Sequence, residues 1–149
     1  MGYFNLLLLL ILMGVHVTLV ASLRGLKNNV AAGVDFALTG AFLSGYWFGF
    51  KWGFILGCIF MLSNFIATME FWPSMFIMIP MCGFVGIWGA LVPIMGIPIM
   101  TGIMAGVIGY AIINDFLMFT LFGEKDFIMF VMHFIGAIVI NWVFFDLFF

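Results

Sequence analysis

The chain has 149 residues, of which 67% are hydrophobic and only 7% charged, and its formal net charge is −2. A soluble domain carries about 25% charged residues, so there is no material here for a water-facing shell around a core. With no basic cluster to follow a phosphate backbone, the composition also argues against nucleic acid as a partner, and no polybasic run is present to hold anionic lipid.

Taken in chain order, the apolar runs predict membrane-spanning helices, and the charges mark the turns between them. Span one is Tyr3–Leu23. Its core, Leu6–Met13, is followed by Val20-Ala21-Ser22, which loosely resembles a leader cleavage site. But Met1–Asn5 lacks Lys and Arg and the apolar stretch is long enough to cross a bilayer, so it reads as a retained first helix. Arg24-Gly25-Leu26-Lys27-Asn28-Asn29 is a polar connector, span two is Val30–Phe50 closed by Lys51, and span three is Trp52–Met69 closed by Glu70.

The most diagnostic stretch follows. Phe71–Ile113 contains no Asp, Glu, Lys, Arg or His, and one crossing needs ~20 apolar residues, so this run supplies two crossings and a turn. Span four is Phe71–Val92; Pro93, Gly96 and Pro98 break the helix, because proline lacks an amide donor and clashes with the preceding turn. Span five is Ile99–Leu121, Gly123-Glu124-Lys125-Asp126 is a second connector, and span six is Phe127–Phe149. The expected fold is therefore all-α: a single domain, residues 1–149, forming a compact bundle of six transmembrane helices with short loops. Lipid offers the backbone no partners, so helices must satisfy their own polar groups. Tyr3, Tyr46, Trp47, Trp52, Trp72 and Trp142 fall near predicted span ends, as in an aromatic belt. Arg24, Lys27 and Lys125 share one side and Lys51 the other, which by the positive-inside rule favours an outside N-terminus. A plasma or inner membrane is the expected location.

Glycine recurs at helical spacing. Gly45, Gly49, Gly53 and Gly57 repeat every four residues, Gly102 and Gly106 repeat the spacing, and Gly83, Gly86 and Gly89 line the fourth span. Residues four apart share a helix face, and glycine there lets backbones approach closely. Two readings follow: packing inside the bundle, or a surface on which another membrane subunit docks.

Candidate chemical residues are scattered singles. Asp35 is either an N-terminal helix carboxylate favoured by the dipole or an ion-path residue. Asn114 and Asp115 sit inside the fifth apolar run: either they face a bundle interior, where ionisable groups are functional by default, or the helix ends there and Phe116–Phe122 lies in the interface. His16 and His133 fall within spans, but neither has an Asp, Glu or Cys three or four residues further on, and metal sites need three or four ligands. No metal and no cofactor are expected. His133 joins Asp35 and Asp115 as an ion-path candidate. Asn64 and Thr68 share a face, and Asn141 flanks the face of His133. Such groups are either interhelical glue or the walls of a ligand pocket, for which Trp72, Asn114, His133 and Asn141 are the candidates. Cys58 and Cys82 both lie in apolar segments and read as packing residues rather than a disulfide. No nucleophile-elbow, zincin, Walker or dinucleotide fingerprint occurs, and with no positioned acid, base or metal an enzyme is not expected.

One segment carries a family likeness. Gly40-Ala41-Phe42-Leu43-Ser44-Gly45-Tyr46-Trp47-Phe48-Gly49-Phe50-Lys51-Trp52-Gly53-Phe54-Ile55-Leu56-Gly57 resembles the turn between the second and third spans of the substrate-binding S-components of energy-coupling factor (ECF) vitamin transporters. Those proteins have six helices and minimal loops; Phe50 stands where they usually have proline. The resemblance, over residues 40–92, implies a transporter subunit that captures a small molecule and depends on partner subunits for energy. It also implies docking through an Ala-x-x-x-Ala pair on the first helix, where this chain has Gly14 and Thr18, while Ala37 and Ala41 fall on span two. The alternative is a small accessory or ion-pathway subunit of a larger respiratory or energy-converting membrane complex, packing through its glycine faces. A scaffold or assembly protein without a ligand is a third reading. The expected partners are the lipid bilayer, other integral membrane subunits and a small-molecule ligand.

Overall fold

The computed structural model describes residues 2–23, 36–69, 73, 75–123, 131, 134–135, 138–139 and 142–143. Among these the regular structure is all helical, with five helices and no strand. They are α1 (Gly2–Leu23), α2 (Phe36–Phe48), α3 (Phe50–Thr68), α4 (Met75–Ile94) and α5 (Ile99–Phe122). The positions described beyond Gly123 also have helical backbone. Most of the sixth predicted span lies outside the described residues, as do the first polar connector and Glu124-Lys125-Asp126 of the second.

Four of the helices, α1, α3, α4 and α5, are long and apolar enough to cross a membrane. With 24 residues, α5 is about 36 Å long at 1.5 Å per residue, somewhat more than a ~30 Å hydrocarbon core. In each of these helices the apolar residues run all the way round. That is the pattern of a segment whose outer face meets lipid rather than water. Tyr3, Phe76, Ile94 and Phe116 stand on the outside, alongside Leu7, Leu10, Trp52 and Ile66.

Helices α2, α3 and α4 form the centre: each packs against the other two, α1 lies against α2 and α3, and α5 lies mainly against α4. The core is Leu38, Phe42 and Leu43 of α2, Phe60 and Met61 of α3, and Cys82, Val85 and Val92 of α4, with Ile103 and Val107 added from α5. Helix α1 contributes Leu9, Leu12, His16 and Val20, one face at helical spacing.

The turns have local causes. A single residue, Gly49, separates α2 from α3, with φ 82° and ψ −177°, a conformation essentially confined to glycine. The reversal therefore comes at Gly49, just before Lys51. Between α4 and α5 the chain turns through Met95–Pro98, with Gly96 at φ 67°. Pro93 is accommodated inside the last turn of α4, so the break comes at Met95 rather than at the proline. Helix α5 ends in a left-handed cap at Gly123, whose N–H donates to Phe119 O. It does not stop at Asn114, which is mid-helix.

Candidate functional site

The glycines predicted to line helix faces do so inside the bundle. A Cβ on Gly53 would lie 2.6 Å from both Gly45 Cα and Gly86 O, and one on Gly57 would lie 2.6 Å from Cys82 O. A Cβ on Gly45 would strike Gly86 O, one on Gly86 would strike Gly53 O, and one on Gly89 would strike Phe42 O. Three helices thus meet backbone to backbone at Gly45, Gly53 and Gly86. Gly49 stands apart: nothing lies within 4 Å of its would-be Cβ, and its role is the turn. Its place in the four-residue series is a coincidence of spacing across a chain reversal.

Gly102 and Gly106 form the seat for α4 on α5. A Cβ on Gly102 would lie 2.6 Å from Val92 Cγ2, and one on Gly106 2.9 Å from Trp88 Cδ1. The indole closes this joint by donating from Nε1 to Gly102 O at 2.7 Å. Trp88 was not among the residues singled out in the sequence; only a tryptophan well inside an apolar run, where its N–H needs an acceptor, pointed to it. Cys82, fully buried, lies with Sγ 3.8 Å from Ala37 O, and both Cys58 and Cys82 are free thiols.

The polar residues divide by position. His16 is completely buried on the inner face of α1, as are Thr39 and Ser44 on α2. Ser44 donates to Gly40 O at 2.6 Å, returning its proton to its own helix. On α5, Asn114 is 8% exposed, and its Oδ1 has no hydrogen-bond partner among the described residues. Its neighbour Asp115 is half-buried, with Oδ2 withdrawn from the surface. Asn64 is half-buried on α3. The remaining candidates, Asp35, Trp72, His133 and Asn141, lie outside the described residues, as does the Thr68 side chain. Of the proposed pocket set only Asn114 can be placed, and of the ion-path set only Asp115; they adjoin on one helix. No group of three or more metal-ligating side chains occurs among the described residues.

Two further faces bear on docking. Ala37 and Ala41 are completely buried in the core and present nothing to a partner. Gly14, Thr18 and Ser22 are exposed on α1, and the two hydroxyls donate to the carbonyls of Gly14 and Thr18 at 2.8 and 2.7 Å.

Four apolar crossing-length helices, intramembrane glycine contacts and an outer surface of aliphatic and aromatic side chains are the marks of a membrane-embedded helical protein. Beyond that class, no protein-family model, curated protein or solved structure matches the chain.

Proposed function

We propose that the chain is an integral membrane subunit of a multi-component transporter, which captures a small molecule between its helices and relies on partner subunits for energy. In this reading residues 127–149 complete a sixth crossing, and the protein resides in a plasma or inner membrane. The observation that carries it is Asn114. An amide oxygen buried without a partner costs about 1–3 kcal/mol, and polar groups at membrane depth face a cavity or a bundle interior. A bound molecule that donates to Asn114 offsets that cost. The likeness of residues 40–57 to the ECF S-components supports the same reading.

The second reading, an accessory or ion-pathway subunit of a larger energy-converting complex, draws its support from Asp115, a carboxylate within an apolar helix. Its other support is weaker, because the glycine faces it would use for docking are occupied within the chain. Native purification in mild detergent separates the two. Co-elution with a pair of ATPases supports the transporter subunit; recovery inside a redox assembly supports the accessory subunit, and recovery alone with no stabilising ligand defeats both. Replacing Asp115 by Asn should abolish activity if the carboxylate carries ions, and unchanged turnover removes that role.

A further inference from the structure

The turn between α4 and α5 is built differently from a turn that stands in water. No side chain in residues 91–100 carries a charge or a hydrogen-bond donor, which sets it apart from turns in water, where Asn, Asp and Ser join Gly and Pro. The turn also sits near the middle of the charge-free run 71–113. Ile94 is 69% exposed and Met95 58%, and Pro93, Gly96 and Pro98 are exposed beside them. The α2–α3 turn is marked otherwise, by the exposed Lys51.

The backbone of the α4–α5 turn is closed. Met95 N–H donates to Leu91 O at 2.9 Å, Gly96 N–H to Pro93 O at 3.3 Å and Ile97 N–H to Val92 O at 3.1 Å. Pro98 has no N–H to satisfy. Gly96 makes this closure possible, because its φ of 67° is the left-handed cap that turns the following N–H groups back onto the last turn of a helix. No backbone donor from residue 95 to residue 98 is left for water, which is the condition that hydrocarbon sets on a chain within it.

The surface that the turn continues selects its occupant. Phe84, Leu91 and Met95 are seven and four residues apart, on one face of α4, and Phe84 is itself 57% exposed. The outer face of α4 that meets lipid therefore runs into the turn with no polar break. Residues 93–96 are all exposed, and consecutive residues point in different directions, so the turn is open on several sides. A second protein covers one side of such a projection; lipid closes round it.

We propose that the α4–α5 turn is a lipid-embedded anchor: Ile94 and Met95 enter the bilayer at the boundary between headgroups and acyl chains, and the partner of this surface is phospholipid. A thiol at that depth still meets water-borne reagents from its own side of the membrane, but it meets lipid-borne ones more often.

The test is the collision of a nitroxide at the turn with oxygen, which concentrates in lipid, and with a water-soluble nickel chelate. Cys58 and Cys82 are replaced by Ala, Met95→Cys carries the nitroxide, and the full chain is reconstituted in phosphatidylcholine vesicles with the chelate on both sides. The expected result is an oxygen collision rate several-fold above the chelate rate. A chelate rate that matches or exceeds the oxygen rate puts the turn in water and overturns the proposal. Low rates for both place protein over the turn, as a second copy of the chain would, and overturn it as well. Ile94→Cys carries the same label one residue earlier and must give the same ordering, which keeps the test decisive if the first variant does not fold.

Discussion

At the scale of single residues, the glycines of the centre are not interchangeable with those elsewhere. Gly86 and Gly53 lie against each other's backbone, where a methyl group has no flexible neighbour to displace. Gly86→Ala should therefore force α3 and α4 apart and cost about 1–3 kcal/mol, the usual range for overpacking. Gly109 and Gly14 have nothing within 4 Å of the same added atom, so alanine there should be neutral or slightly stabilising, since glycine is about 1 kcal/mol worse than alanine within a helix. Gly49→Ala should destabilise for a different reason, because its backbone angles rather than its neighbours exclude a side chain. Thermal unfolding of the purified variants in one detergent checks all of these. Equal melting temperatures for Gly86→Ala and Gly109→Ala would remove the three-helix glycine contact as a determinant of the fold.

At the scale of elements, Trp88 fastens α4 to α5. Its ring lies over Gly106 and its N–H reaches Gly102 O, while the same carbonyl belongs to a helical turn that keeps it satisfied. Trp88→Phe should thus cost only about 0.6–1.7 kcal/mol, in the range of interhelical hydrogen bonds within membranes. Trp88→Ala, which also empties the seat, should cost about 3–5 kcal/mol. Comparable losses for the two would assign the joint to the hydrogen bond and not to packing. What the sequence could and could not supply is visible at this joint. The limits of α1, α3 and α5 were legible to within two residues, because apolar runs end where charges, glycine or proline begin. That Gly102 and Gly106 mark a packed face was legible from their spacing. That the indole of Trp88 fills it was not, because the partner depends on the register in which two helices cross, and a four-residue spacing carries no information about the other helix. The same spacing misled at Gly49, where it ran across a reversal. Asn114 was legible as an anomaly, a polar residue inside an apolar run. Whether it faced inward needed the continuation of α5 to Phe122 and its orientation toward the core.

At the scale of the molecule, the connections place the chain's turns at defined ends of the helical bundle. One residue joins α2 to α3, and four residues, Met95–Pro98, join α4 to α5. Links this short join antiparallel neighbours at one end of a bundle, as helix–helix connections of 2–8 residues generally do. With α3 and α4 running in opposite directions between them, the Gly49 turn and the Met95–Gly96 turn share one end of the bundle, and Gly123 at the end of α5 lies at the other. The positive-inside argument concerns which face is cytoplasmic; the connectivity fixes which turns go together. After Cys58 and Cys82 are replaced by Ala, single cysteines at Lys51, Met95 and Gly123 should therefore label asymmetrically in sealed vesicles of one orientation. A membrane-impermeant maleimide should reach the first two from the same side and the third only from the opposite side or after permeabilisation. If Lys51 and Met95 label from opposite sides, α3 and α4 do not both cross the bilayer. The glycine contact would then be a feature of a re-entrant segment.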